Sequence, residues 1–453
     1  MPDSIQSINA RAIELRAQGR LREAIAVFAE GVATFPDAAV LFNNLAMTLD
    51  ELGAPKEALL AYDSALQRAP HLTAALVGKA SLLLRTGLID EARALYDAAL
   101  AVEPGSLAAN LGMYELLQIK GDLRGAVDHQ RRALAHQHLF SHVAPNEQRS
   151  VLVLVAPGDW QTNVPVDFLF DRKTTSVHKL FLLDAAPAVP IPDYDVVFNA
   201  IAESDEAVAS LRLARQFIDA QSKPVLNAPE AVLKVGRREL PKTLAGVDCM
   251  VAPIFERKRA ELQKCAMQLE YPAIVRPVGS HAGHNLERVT SAFDVYDYLS
   301  RVDAPQYFVS PFIDYSGSDG YFRKYRIVFV DGVPYPVHLA ISPNWMIHYY
   351  NSPMSEHEWM RSEEASFLAE MQSVFGGSLE AALHDVARSI GLEYFGIDCS
   401  IDRDGRLLVF EADPAMLVHT TDPVDLFPYK HQYIPRIYRA VEAMIDTRKA
   451  ADT

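Results

Sequence analysis

Residues 391–416 read GLEYFGIDCSIDRDGRLLVFEADPAM. Two apolar runs flank Asp404-Gly405, a dipeptide that favours a tight hairpin turn. If the turn has two residues, Asp398 stands directly opposite Glu411, and Asp413 shares their face two residues on. Ile397, Cys399, Ile401, Leu408, Phe410 and Ala412 then point the other way as one core face. The register that buries the apolar set thus gathers three carboxylates, which costs stability unless a cation sits among them. Mg²⁺ held by carboxylates and nucleotide phosphates would reverse that cost. Pro414 then ends the strand.

A second hairpin lies upstream, FRKYRIVFVDGVPYPVHLAIS (322–342), turning at Asp331-Gly332. Its register pairs Phe329 with Pro334 and Ile327 with Pro336 at non-hydrogen-bonded positions, where proline removes no ladder bond. Lys324 and Arg326 share a face of the first strand, so an anion is expected between them. Earlier still, YPAIVRPVGSHAGHNLERV (271–289) reads as a strand delivering Arg276, then a loop with Gly279, Ser280 and Gly283. Glycine lets backbone N–H groups approach phosphate oxygens, and Ser280 adds a donor. The loop lacks the G-K-[ST] ending of a P-loop.

The chain has 453 residues, enough for about three domains. It is 49% hydrophobic and 22% charged, an ordinary globular composition. Its net charge of −15 argues against non-specific nucleic-acid binding, while leaving room for local basic sites. No apolar leader and no long apolar run is present, so neither secretion nor a membrane span is expected. Cys249, Cys265 and Cys399 are odd in number and lack metal-ligand spacing, which points to reduced thiols and a cytoplasmic protein.

The first 140 residues are periodic. Gly19, Gly53, Gly87 and Gly121 recur every 34 residues, as do Ala24, Ala58, Ala92 and Ala126, and Pro36, Pro70 and Pro104. Phe28, Tyr62 and Tyr96 follow the alanines by four. Each glycine ends a helix, each alanine lets two helices approach, and each proline stops the second helix. These units resemble the tetratricopeptide repeat (TPR), which implies an all-α solenoid over 1–140 with a concave face for a peptide or protein partner. Asn9, Asn43 and Asn44 either contact that partner's backbone or fill repeat positions. Residues 141–150 are polar and read as a linker. From 151, short apolar runs alternate with an amphipathic stretch, DEAVASLRLARQFIDAQ, which predicts a mainly parallel sheet over 151–240. No G-x-G-x-x-G follows its first strand, so no dinucleotide site is expected. Asp159, Asn199 and Asn227 near strand ends are either ligand groups or turn residues.

The order of these motifs (glycine-rich loop after a cationic strand, basic strand, paired carboxylates) resembles the ATP-grasp superfamily of carboxylate–amine ligases over about residues 150–440. The ending GIDCSIDRDGRLLVFEADPAM resembles that of ligases adding glutamate to proteins or small peptides. This resemblance implies an α/β N-terminal lobe at 151–240 and an α+β nucleotide-binding and catalytic domain at 241–445. It makes FVSPFID (308–314) the hinge, where backbone groups of Pro311, Phe312 and Ile313 read adenine and Asp314 reads the ribose. Arg276 would contact the α/β phosphates, with Lys324 among the nucleotide contacts and the loop from Gly279 to Gly283 as flap. Arg326 would stabilise the transferred phosphoryl group, and Asp398, Glu411 and Asp413 would hold Mg²⁺. Arg276 stands where the family usually has lysine, Ser310-Pro311 where it has an acidic or amide residue, and Asp413 where it has asparagine. The expected activity is ATP- and Mg²⁺-dependent formation of an amide through an acyl phosphate, releasing ADP, on a peptide or protein recruited by the repeats. His338 and His348 are candidate substrate contacts. Two other readings stay open: a kinase on the same fold, and a scaffold whose nucleotide-binding half is inactive.

Overall fold

The computed structural model describes residues 4–183, 190–204, 207–280, 283–347 and 351–451. The chain forms two compact units, Met1–His138 with Pro157–Asp159, and Leu139–Ala156 with Trp160–Thr453.

The first unit is built from helices α1 (Ile5–Ala17), α2 (Leu21–Thr34), α3 (Ala39–Glu51), α4 (Pro55–Arg68), α5 (Thr73–Arg85), α6 (Ile89–Val102), α7 (Leu107–Ile119) and α8 (Leu123–Leu134). Gly19, Gly53, Gly87 and Gly121 have φ between 75° and 83° and end the odd-numbered helices. There the N–H of the residue after each glycine reaches back to a carbonyl five positions earlier, for example Arg20 to Leu15. Ala24, Ala58, Ala92 and Ala126 are fully buried, as close helix pairing requires. Asn43 is buried and donates to Asn44, which donates to Asn9 at 2.6 Å. Asn9 and Asn44 are half-buried, whereas Asn43 is buried in the array.

A rule absent from the sequence reading links neighbouring repeats. Tyr62 and Tyr96 on the even helices fill the space above Gly78 and Gly112, where an added Cβ would overlap the tyrosine ring. Glycine to alanine within a helix ordinarily stabilises by about 1 kcal/mol. Here overpacking wins, and Gly78→Ala or Gly112→Ala is expected to destabilise the array by about 1–3 kcal/mol. Far-UV circular dichroism during denaturation checks this, and Tyr62→Phe should recover part of the Gly78→Ala loss.

The second unit contains three sheets. The first, in the order β1-β3-β2-β4-β5, holds β1 (Leu139–His142), β2 (Arg149–Val155), β3 (Thr175–Phe181), β4 (Val196–Asn199) and β5 (Val225–Leu226). It is parallel apart from β1, and β2 is buried along nearly its whole length, as a strand covered on both faces must be. Strand β1 runs into the stretch expected to be linker. Phe140 packs edge to face on Phe181 at 5.8 Å there, and a short edge strand leaves little periodicity to read.

Strands β6 (Cys249–Val251), β7 (Phe255–Lys258), β8 (Ala273–Pro277), β9 (Glu287–Val289) and β10 (Gln306–Pro311) follow. Then come β11 (Phe322–Val330), β12 (Val333–Ser342), β13 (Tyr394–Ile401) and β14 (Leu407–Asp413). They form an antiparallel sheet, β7-β10-β8-β9, and a five-stranded sheet, β12-β11-β13-β14-β6, in which β6 is parallel to β14. One hydrophobic core joins the first sheet to one face of the five-stranded sheet. Asn227, at φ 58°, splices them: its amide donates to Tyr394 O at 2.7 Å and accepts from Tyr394 N at 2.9 Å. Asn199 in turn donates to Asn227 O. Both asparagines are fully buried and hydrogen-bonded as joints. The helix Pro435–Ala451 closes the unit, pairing Asp446 with Arg149, Arg448 with Asp331 and Lys449 with Asp195. Among the described residues no helix is long and apolar enough to cross a membrane.

Candidate functional site

Three neighbouring strands carry the charged face. Arg326 on β11 lies opposite Asp398 on β13, and Asp398 lies opposite Glu411 on β14. The predicted carboxylate pair therefore exists, but its repulsion is answered from within the chain. Asp398 is 1% exposed and takes Lys324 Nζ at 2.7 Å, Arg326 Nε at 2.8 Å and Arg326 Nη2 at 3.0 Å. Glu411 takes Arg237 Nη2 at 3.0 Å. The anion expected between Lys324 and Arg326 is Asp398 itself. Burial would raise the Asp398 carboxyl, yet Arg326 and Lys324 outweigh it and hold Asp398 well below the ordinary carboxylate range.

Two β-bulges set this geometry. The β11–β12 hairpin keeps the expected pairs Phe329–Pro334 and Ile327–Pro336, then shifts by one residue so that Arg326 meets His338. The β13–β14 hairpin departs from expectation at its tip. Its turn has three residues, 403–405, with Gly405 at φ 81°, and Asp402 accepts the N–H groups of Asp404 and Arg406. Ile401 therefore pairs with Leu407, Ser400 with Leu408 and Cys399 with Val409. A bulge at Phe410 restores the Asp398–Glu411 pair. The expected core face is corrected accordingly. Leu407, Val409 and Ala412 join Ile397, Cys399 and Ile401 in the main core, while Leu408 and Phe410 turn to the opposite face. There they pack with Ile313, Tyr315, Phe322, Ala340 and Ile347.

The four-stranded sheet supplies the remaining candidates. Arg276 is 8% exposed, and its Nε donates to Ser280 Oγ at 3.0 Å while Nη2 donates to Ser280 O. Burial and then Arg237 push the Arg276 guanidinium down to about 10, against the pull of Glu411. Arg276, Arg237 and Glu411 thus share one electrostatic neighbourhood. Arg237 was missed in the sequence: the run GRRE carries no periodic signal, and its partner lies 174 positions away. Gly279 and Gly283 have φ of 77° and 70°, conformations suited to glycine in the loop. At the hinge, the Phe312 N–H is already donated to Pro272 O, and Pro311 has none, so any backbone reading of a base falls to Ile313 and the carbonyls.

His338 is 7% exposed, and burial, with Arg326 and Lys430 nearby, drives it far below its ordinary value. The ring is buried within the sheet, and its residue pairs with Arg326 across β11–β12. His348 and the loop's His281 lie outside the described residues. A further buried network adjoins His338. Lys430 Nζ lies 3.2 Å from Glu364 and 3.3 Å from Asp422, the Tyr429 hydroxyl donates to Glu364 at 2.6 Å, and the Leu339 N–H donates to it at 3.2 Å.

Among the described residues no group of three or more His, Cys, Asp or Glu side chains gathers as a metal-binding cluster. Asp413, expected as a third ligand, lies opposite Gly396 and accepts the Ala415 N–H at 2.7 Å, and burial pushes its carboxyl up to about 6. Asp398 and Glu411 remain as a carboxylate pair, each already facing a cation of the chain. Mg²⁺ is commonly held by one or two carboxylates plus phosphate oxygens and water, so a pair of carboxylates is the number such an ion needs from a protein.

Family models of the tetratricopeptide repeat match residues 9–72 and 51–112, which bears out the repeat assignment there. A search of curated proteins finds no match. Among solved structures, a RimK-domain ATP-grasp protein from Sphaerobacter thermophilus aligns over 65% of this chain and 99% of its own, at 13% identity and a TM-score of 0.41. MamA from Desulfovibrio magneticus RS-1 aligns over 30% of this chain and 77% of its own, at 18% identity and a TM-score of 0.28. A tetratricopeptide repeat protein from Parabacteroides merdae aligns over 30% and 53%, at 22% identity and a TM-score of 0.27.

Proposed function

We propose that the second unit is an ATP-grasp-type ligase that binds Mg²⁺–ATP and joins a carboxylate to an amine, on a peptide or protein recruited by the repeats. One observation carries this reading: Lys324, Arg326, Asp398 and Glu411 share one sheet face, with Arg237 and Arg276 beside Glu411. Cations and carboxylates in that mixture suit a triphosphate and its metal. The apolar patch of Leu408, Phe410 and Ile313 on the same face suits a base.

In this reading Asp398 and Glu411 would hold Mg²⁺, which would supply positive charge to a bound triphosphate. Arg276, with Ser280, grips the phosphate chain, and Lys324 and Arg326 face the charge that develops on the transferred group. A substrate carboxylate oxygen attacks the γ-phosphorus, giving an acyl phosphate and ADP. The amine then attacks the acyl carbon, phosphate leaves, and the amide forms. Half-buried Asn9 and Asn44 in the repeat array are the groups on which a peptide backbone would rest.

The test supplies the full chain with ATP, Mg²⁺, hydroxylamine and pools of acidic amino acids and peptides. Acyl hydroxamate and ADP in equal amounts are expected, with Arg326→Ala slower by about 10²–10³-fold. A stable phosphorylated acceptor with no hydroxamate would replace the ligase with a kinase.

A further inference from the structure

The segment after β10 alternates sides. Ile313 and Tyr315 pack with Leu408 and Phe410, whereas Phe312 and Asp314 find other partners. The Arg288 guanidinium lies 4.1 Å from the Phe312 ring centroid, and Trp345 meets that ring edge to face at 5.6 Å. Asp314 Oδ2 lies 2.8 Å from Arg403 Nη2, which also donates to Ser316 Oγ at 2.6 Å. The Ser316 N–H donates to Asp314 Oδ1 at 3.0 Å.

Arg403 belongs to the β13–β14 turn, and its neighbours there bond within the turn. Asp402 accepts from Asp404, Arg406 and the Arg406 side chain, and Arg406 also pairs with Asp404. Arg403 instead leaves its hairpin for Ser316, 87 positions earlier, and for Asp314. Both members of that ion pair are well exposed, and such pairs add little stability. What the contact does is fix an aspartate. Held by arginine and serine, the carboxylate keeps acceptor capacity beyond the bonds it makes. A held acceptor pair next to Ile313, whose side chain joins the apolar patch assigned above to a base, matches the diol of a sugar attached to that base.

We propose that Arg403 is a positioning residue for sugar recognition: by fixing Asp314 it makes the site select a ribonucleotide over its 2′-deoxy counterpart. This rests on the nucleotide reading above. Calorimetric titration of the full chain with ATP and with 2′-deoxy-ATP, each with Mg²⁺, tests it. The wild type should prefer ATP by about tenfold or more, the value of one charge-assisted hydrogen bond. Arg403→Ala should reduce the preference to about twofold or less, through weaker ATP binding and little change for 2′-deoxy-ATP. Arg403→Lys should regain part of it, which a loss of folding would not permit. An Arg403→Ala chain that keeps the full preference overturns the proposal. A wild type that binds both nucleotides alike also overturns it, yet leaves the nucleotide site standing. A wild type that binds neither removes the parent reading and this one together.

Discussion

Asp398→Ala is expected to destabilise the second unit by about 3–5 kcal/mol, because it leaves two cations side by side with their shared counter-ion gone. Lys324 and Arg326 are mostly buried and both reach Asp398 within 3.0 Å. All three tryptophans, Trp160, Trp345 and Trp359, lie in the second unit, so tryptophan fluorescence during urea denaturation reports on that unit alone. The pH dependence has a definite sign. The folded Asp398 carboxyl is held below its unfolded value of about 3.9, so its contribution is present above that pH and is lost on acidification below it. Asp398→Ala should flatten this acid limb. Replacing Lys324, Arg326 and Asp398 together by apolar residues of similar volume should return much of the stability and none of the hydroxamate activity. Recovery of activity in that triple variant would remove these residues from the chemistry.

Lys430→Met should cost a comparable amount by the opposite imbalance, leaving Glu364 and Asp422 without their cation. Lys430 is 2% exposed and Glu364 1%, and burial already raises the Glu364 carboxyl against the pull of Lys430. Loss of the lysine raises it further. Above an unfolded value of about 4.3 a raised carboxyl costs stability as pH increases. The Lys430→Met deficit should therefore be about 3–5 kcal/mol at pH 8 and shrink on acidification, as the raised Glu364 carboxyl takes a proton. Glu364→Gln in the Lys430→Met background should recover part of the loss. A pH-independent deficit would mean that Lys430 acts through packing alone. Because Leu339 binds Glu364 and His338 precedes Leu339, this network also supports the strand facing Arg326.

Local chemistry made some of this legible. A glycine every 34 residues can end a helix only in one way, so the repeats were readable before any packing was known. The Asp398–Glu411 pair was readable too, but for an incomplete reason. A two-residue turn and a regular strand predict it, whereas the molecule uses a three-residue turn and a bulge whose offsets cancel. Strand alternation cannot reveal a bulge, so Leu408 and Phe410 were placed on the wrong face. Arg237 and Glu411, or Lys430 and Glu364, are joined by tertiary folding across stretches that carry no shared period. The anion between Lys324 and Arg326 was rightly expected, yet only the β11–β13 pairing could identify it as Asp398.

The bulge at Phe410 does more than correct an offset. In a regular strand, neighbouring side chains part company, so Phe410 and Glu411 would serve opposite sides of the sheet. The extra residue lets them stand next to each other: Phe410 with the aromatic and aliphatic groups around Tyr315, and Glu411 among the arginines. A single strand thereby offers a dry surface and an ionic one within the step of one peptide unit. Molecules with a flat organic head and a charged tail need such a boundary, and here one inserted residue draws it.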